Sequence, residues 1–378
     1  MKFICTYSDG KVGVVQELSG YLAEKGESFW YLEHPLAPGA GATSRLDRYE
    51  NGKLVETKAL GKPAKGAMSL YLKASWATFK TVWARRRMID LFVAASNVDC
   101  VVAHIALPRK KARIVYVSID FSPKRFSNPL LNVIFRLADR LAYRWASAVW
   151  HSYPNATTLK PYAPKEKCFE TFHGNNYRRI QRRPFEERKR TSLVYLGSVS
   201  PAAHLEAALI ALKTVKPRFP DIHLHVIGVA ANPAYMQSVK TTAKSLNVTE
   251  CVTWHGLIAE SQTFERIMTE LGIALCLYEM TPERYSWYQL PGKVFAYAAC
   301  GLPTIVLDKC GPIGTRETEH NHIGVVTSLD GLTDCIAGLL DNPDMHKSLS
   351  ESSEKWAAEY DWHAKFDKYL RLIDRSSK

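Results

Sequence analysis

Leu290-Pro291-Gly292-Lys293-Val294-Phe295-Ala296-Tyr297-Ala298-Ala299-Cys300-Gly301-Leu302-Pro303-Thr304-Ile305-Val306 carries a turn, a short helix, a stop and a buried strand in 17 residues. Pro291-Gly292 signals the turn, residues 293–299 the helix, and Gly301 its C-terminal stop, with Pro303 leading into the apolar run 304–307. A helix that feeds directly into an unbroken apolar strand is half of a βαβ unit, whose sheet is covered on both faces. Outward from it, apolar runs recur at 193–196, 224–227, 252–254, 273–277 and 324–326, with helical patterns over 204–215 and 234–246. The first half has the same grammar, with strand-like runs at 2–7, 28–32, 100–104, 113–118, 148–152 and 168–172. Helical patterns there cover 14–24, 68–82 and 128–146. The expectation is an α/β protein of two doubly wound, Rossmann-like domains with parallel sheets.

Length and composition agree with two cores. A chain of 378 residues with 46% hydrophobic residues is too long for one ordinary core. Residues 1–177 read as one domain and 192–359 as the other, with the Arg-rich stretch 178–191, which contains Pro184, as linker. The 8 cysteines show no CxxC pair and no zinc-like His spacing, so they read as reduced core residues and no metal or other cofactor is expected. No apolar run of about 18 residues is present, and the N-terminus leads into a strand; the expected location is the cytoplasm.

The formal net charge of +13 is unevenly spread: residues 1–190 hold 33 Lys+Arg and 16 Asp+Glu, giving +17, and residues 191–378 hold 17 and 21, giving −4. A one-sided basic field implies an anionic partner for the first half, or else a solubilising face. Tyr71, Trp76, Phe79 and Trp83 lie along one probable helix that ends in Arg85-Arg86-Arg87. Arg136, Arg140 and Arg144 lie at i, i+4 spacing on another, beside Leu137 and Leu141. Such surfaces suit peripheral docking on an anionic inner-leaflet membrane, although a packed helix with a charged outer face has the same pattern. No nucleic-acid reading motif accompanies the charge, and the half with the glycine loops is acidic, so no nucleic-acid partner is expected.

Open α/β sheets bind ligands at the carboxyl ends of their strands. Three successive strands of the second half end in glycine, at Gly197-Ser198, Gly228 and His255-Gly256-Leu257. Glycine there lets backbone amides approach a phosphate or a base. Lys293 falls in the first turn of its helix, where a cation opposes the dipole unless an anion sits beside it. A solvated surface lysine is the alternative.

The segment 290–303 resembles the donor-site signature of GT-B glycosyltransferases of the family 4 type, a Pro-x-Lys-x-x-Glu-Tyr-x-Ala-x-Gly-x-Pro pattern. Residues 193–200 are similar to the strand and loop that open the donor domain of that family. His173-Gly174-Asn175-Asn176 resembles the element before its linker, and residues 254–257 its base-receiving loop. The resemblance implies a GT-B fold with an interdomain cleft and a C-terminal helix, 360–378, that packs back on the first domain. It implies donor binding by Gly197, Ser198, Gly228, His255, Gly256, Leu257, Arg284, Tyr288, Pro291, Gly292 and Lys293, with His204 as a further diphosphate candidate. The family's paired glutamates are replaced by Tyr288 and Ala296, and the usual Arg and Lys after the opening strand are missing from Gly197-Ser198-Val199-Ser200. Residues 116–126 are similar to an Asp-x-x-Pro-x-Arg-Phe element, which makes Asp120 the expected general base; an Asx turn or helix cap is the other reading. Asp9, His104 and His151 are second choices.

The function implied is transfer of a sugar from a nucleotide sugar, UDP-linked by family frequency, to a lipid-linked or polysaccharide acceptor in cell-surface glycan synthesis, without a metal. A nucleotide-sugar epimerase of the same fold is the alternative enzyme, and a basic nucleic-acid-binding protein the alternative outside enzymes.

Overall fold

A computed structural model describes residues 1–8, 13–35, 43–64, 66–107, 112–119, 126, 128–153, 156–171, 173–230, 232–258, 260–281 and 285–375. The chain divides into two compact units, Met1–Phe172 with Trp362–Lys378, and His173–Asp361.

The first unit contains β1 (Lys2–Ser8), α1 (Val14–Glu24), β2 (Phe29–Pro35), β3 (Ser44–Glu50), β4 (Lys53–Leu60), α2 (Ala67–Arg85), β5 (Leu91–Ala94), α3 (Asn97–Ala106), β6 (Arg113–Ser118), α4 (Pro129–Trp145), β7 (Ala148–His151), α5 (Ala156–Leu159) and β8 (Cys168–Glu170). Its strands form one sheet in the order β4-β3-β2-β1-β5-β6-β7-β8. The sheet is parallel except at one edge, where β3 and β4 add as an antiparallel hairpin. The hairpin is an edge addition to the parallel sheet that the sequence implies. Asn51-Gly52 turns it with both φ angles positive, 49° and 76°, the geometry of a two-residue hairpin turn. β1 buries both faces, as a parallel strand between helix layers requires. Phe3 and Cys5 join Phe92 and Cys100 in one core, and Ile4 joins Val15 and Leu18 of α1 in the other.

Residues 100–104 are helical, not a strand: they lie in α3, whose Ser96 side chain caps the Asp99 amide at 3.3 Å. Cys100, Ala103 and Ala106 are buried at i, i+3, i+6, so the β-branched Val101-Val102 pair rides on a helix defined by its cap and its period. The last helix of the chain, Trp362–Arg375, also belongs to this unit; Trp362, Phe366, Tyr369 and Ile373 pack with α1 residues in the second of the two cores.

The second unit contains β9 (Lys189–Leu196), α6 (Leu205–Val215), β10 (His223–Ile227), α7 (Pro233–Ser245), β11 (Val252–Gly256), α8 (Ser261–Met268), β12 (Leu271–Cys276), α9 (Gly292–Ala299), β13 (Thr304–Leu307), α10 (Pro312–His320), β14 (Gly324–Thr327), α11 (Leu332–Asp341) and α12 (Pro343–Glu359); the terminal helix above is α13. All 6 strands are parallel in the order β11-β10-β9-β12-β13-β14. The chain starts at the centre, runs outward to β11, then returns to the other side of β9. The strand order therefore reverses between β9 and β12, the place where open α/β sheets hold their ligands. Residues 178–188 lie in this unit ahead of β9. Arg188 is buried there, donating to Ser350 Oγ at 3.0 Å and pairing with Glu354 at 2.6 Å.

Candidate functional site

Where β9 and β12 part company, the amide of Leu196 has no strand neighbour to bond. Tyr297 from α9 fills the gap: its hydroxyl accepts from the Leu196 N–H at 2.7 Å and donates to the Leu275 carbonyl at 3.1 Å. Lys293 precedes Tyr297 by one helical turn, so the same bonds set its height over the end of β9. The segment 290–301 folds as its sequence predicts. Pro291 is the N-cap position of α9, and Gly301 (φ 73°) closes the helix as Leu302 N–H returns to the Tyr297 carbonyl at 3.0 Å.

Lys293 is not a solvated surface lysine. Its Nζ is shielded from solvent and has no hydrogen-bond partner among the described residues. It lies 3.9 Å from the Tyr278 ring centroid and 4.5 Å from that of Tyr195. Burial pushes its pKa from 10.5 down to about 8, opposed by the nearby thiols Cys276 and Cys310. Two aromatic faces compensate part of the desolvation. The side facing Gly197 carries no side chain at all, and a Cβ there would come 3.1 Å from the Nζ. The ammonium therefore sits between two aromatic faces and a backbone wall that carries no side chain.

The three glycine turns are laced together. Gly197 N–H donates to Ile227 O at 2.9 Å, Val199 N–H to Val229 O at 3.0 Å, and Gly228 N–H to Gly256 O at 2.8 Å. Gly197 and Gly228 hold φ angles of 131° and 146°, which side chains rarely adopt. A Cβ on Gly228 would lie 1.9 Å from the Gly197 carbonyl oxygen, so these turns can pack this closely only with glycine at 228. Ser198 offers its carbonyl to the Tyr195 hydroxyl at 2.7 Å, which locks the loop onto the aromatic wall. His204 stands at the head of α6 with φ 45°, and its Nε2 is 3.8 Å from Glu279 Oε2, which also pairs with Lys309 at 3.3 Å.

Gly197, Ser198, Gly228, Gly256 and Lys293 are thus brought together, with Pro291 and Gly292 beginning the helix that carries the lysine. Leu257 is 75% exposed beyond β11. Tyr288 is half-buried at the end of the short turn Tyr285–Tyr288. His255 is committed elsewhere. Its ring stacks on His225 with nitrogens 2.9 Å apart, and His225 is held down to about 4 by burial first and by His223 and His255 next. Asp120, Arg284 and Asp9 lie outside the described residues. Local sequence patterns did not single out Tyr195, Tyr278 or Tyr297; a tyrosine one turn after Lys293 was the available signal for the last.

The first unit holds two buried polar networks. His34 Nε2 is 2.8 Å from Thr78 Oγ1, which donates to Asp99 Oδ1 at 2.9 Å, and Ser44 Oγ lies 2.7 Å from His34 Nδ1. With the Thr78 proton given to Asp99, the imidazole is assigned as the neutral Nε2–H tautomer. Cys5, His34 and Asp99 place ligand atoms within 4.8 Å of one another, but the Thr78 hydroxyl stands at their hub and bonds them, so the group is a hydrogen-bonded knot. In the second network, Asp139 accepts from Tyr116 at 2.9 Å and pairs with Lys160 at 2.9 Å; His151 Nδ1 meets the Tyr143 hydroxyl at 3.1 Å. Burial and Lys160 press His151 down to about 3, so it is a neutral core residue. His104 stacks on Trp145, with centroids 4.5 Å apart.

Residues 190–342 match the family profile described as glycosyl transferases group 1. A sequence comparison with curated proteins found no match. Among solved structures, the chain is similar to HepE of Anabaena in complex with UDP, with TM-score 0.72 and 17% identity over 99% of this chain and 100% of that one. It is similar to WaaG, a glycosyltransferase involved in lipopolysaccharide biosynthesis, with TM-score 0.66 and 12% identity over 99% of each. Sucrose-phosphate synthase of Thermosynechococcus elongatus gives TM-score 0.69 and 13% identity, again over 99% of each chain.

Proposed function

We propose that this group 1 glycosyltransferase of the GT-B fold takes its sugar from a UDP-linked donor, bound at the carboxyl ends of β9, β10 and β11 with the diphosphate against Lys293. The observation that carries the reading is the buried Lys293 ammonium, without a hydrogen-bond partner among the described residues, facing Gly197 at the point where the strand order reverses. An anion there gives the cation its missing partner, and its charge assists departure of the nucleoside diphosphate. The amides of Gly197, Val199 and Gly228 are already bonded to Ile227, Val229 and Gly256, so the N-terminus of α6 supplies the remaining donors, and no step of this reading uses a divalent ion. The structures of HepE with UDP and with UDP-glucose favour uridine as the nucleoside. Asp120 is assigned as the base that accepts the acceptor hydroxyl's proton, on its sequence position after β6.

A thermal-shift panel of nucleoside diphosphates tests the donor site. UDP is expected to raise Tm by several degrees and ADP or GDP by less, with Asp120→Asn keeping the shift and losing transfer. A protein whose Tm no nucleotide moves would sink the proposal.

The acceptor is assigned as a lipid-linked glycan reached from an anionic membrane face. On α4, Leu130, Val133, Ile134 and Leu137 are all more than half exposed at i, i+3, i+4, i+7, with exposed Arg136, Arg140 and Arg144 on the same helix. On α2, Met68, Leu72, Trp76 and Trp83 are 47–65% exposed. An apolar stripe edged by arginines is the pattern of a helix lying in a lipid headgroup layer. Phosphatidylglycerol vesicles should float the protein and phosphatidylcholine vesicles should not, and Ile134→Glu/Leu137→Glu should abolish flotation. Equal flotation with both lipids, or none, rejects this surface.

A further inference from the structure

Between α2 and the end of the β3–β4 hairpin runs a groove of about 460 Å³, within the usual range of about 300–1,000 Å³ for small-molecule sites. Its floor is aliphatic, made by Leu60, Ala64, Leu70, Ala74 and Ala77. Its charged residues are Lys62, Lys73 and Lys80, and no Asp or Glu lines it among the described residues. The small residues Ala74 and Ala77 on α2 leave the hollow, because a longer side chain at either position would fill it. Lys73 is pinned to one wall by the carbonyl of Pro63 at 2.8 Å, and Lys80 lies 5.9 Å from the centre of the Trp76 ring. Trp76 lines the groove and is also part of the exposed apolar stripe of α2, so the hollow opens from that stripe.

We propose that this groove binds one phosphate-bearing lipid, with its hydrocarbon chain on the aliphatic floor and its phosphate among Lys62, Lys73 and Lys80. Ammonium groups with no carboxylate partner among the described residues, set around an apolar trough, fit an anionic amphiphile and disfavour both a neutral glycan and a cation. The inference deepens the acceptor reading above and rests on it only for the identity of that lipid as the acceptor. The vesicle-facing stripe of α4 is a separate feature, made of different residues.

The test uses the full chain with dodecyl phosphate, kept below its micelle concentration and titrated by tryptophan fluorescence and calorimetry. The wild type is expected to bind it at least about 10-fold more tightly than dodecyl maltoside or inorganic phosphate, which carry only half of the required chemistry. Lys73→Gln/Lys80→Gln, two exposed positions, and Ala74→Trp, which plugs the trough, should each weaken binding about 10-fold or more. Unchanged affinity in the lysine variant overturns the proposal even if Ala74→Trp misfolds; so does dodecyl phosphate binding no better than inorganic phosphate. Flotation on phosphatidylglycerol vesicles should survive Lys73→Gln/Lys80→Gln. Loss of dodecyl phosphate binding in Ile134→Glu/Leu137→Glu would place the lipid on α4 and overturn the groove. The UDP thermal shift is read in parallel: its absence in the wild type counts against the donor site alone, because the lipid titration does not depend on it.

Discussion

Lys293→Met should make the empty protein more stable while weakening UDP about 100-fold. The two effects have one origin. A lysine pressed from 10.5 to about 8 is a cation held in an unfavourable place. At 1.36 kcal/mol per pKa unit the protonated form carries a penalty of about 3 kcal/mol below pH 8. Methionine fills similar space without the charge and removes that penalty, so Tm rises. The loss in affinity follows from deleting one partner of a buried charge pair, about 2–5 kcal/mol. The pH dependence separates this account from a generic packing effect. Between pH 8 and about 10.4 the unfolded lysine still holds a proton that the folded one has released, so wild-type stability rises with pH relative to the variant. Nucleotide affinity of the wild type falls over the same window as the ammonium is lost, and that of the variant stays flat. Calorimetric UDP titrations and urea melts at pH 7.5 and 9.5 check both; a variant that is less stable and binds UDP normally would show that the ammonium serves packing, not a ligand.

Gly228→Ala should destabilise the protein by about 4 kcal/mol and abolish the UDP thermal shift. Alanine at φ 146° is strained, and its methyl would sit 1.9 Å from the Gly197 carbonyl oxygen, which is backbone and cannot swing aside. Strain of about 1–3 kcal/mol and overpacking of about 1–3 kcal/mol add at one point. The neighbouring turn supplies the control. Gly256 has φ 67°, and a methyl added there would meet nothing within 4 Å, so Gly256→Ala should lose only the left-handed penalty of about 1–2 kcal/mol. Urea denaturation of the two variants measures the contrast. Equal losses would mean that the β9 and β10 turns are not pressed together, and the narrow wall opposite Lys293 would go with them.

The strands of the second unit were legible because each is an unbroken apolar run between helices, and β9 to β14 all fall on runs read from sequence. The β3–β4 hairpin was not: β4 is exposed along nearly its whole length, so Lys53–Leu60 has no apolar face to reveal it, and only Asn51-Gly52 marked the turn. Residues 100–104 misled because Val101-Val102 favours a strand locally, while the Ser96 cap and buried positions three apart decide for helix. The lysine was legible as a position in a helix but not as a buried cation. Its environment is assembled from Tyr195 on β9, Tyr278 after β12 and Gly197, residues up to 98 positions away that no local pattern connects.

Helix α13 belongs to the unit that the first 172 residues begin. Without it, Val14, Val15, Leu18 and Tyr21 would lose the cover of Trp362, Phe366, Tyr369 and Ile373. Burying four such side chains is worth roughly 6–12 kcal/mol, comparable with the whole stability of an ordinary domain at about 5–15 kcal/mol. During synthesis residues 173–361 can close their own core as soon as they leave the ribosome, whereas residues 1–172 wait for residues 362–375 to emerge. Birth order and maturation order are therefore reversed, and a nascent chain that has yet to expose residues 362–375 would present a greasy, unfinished amino-terminal unit to chaperones.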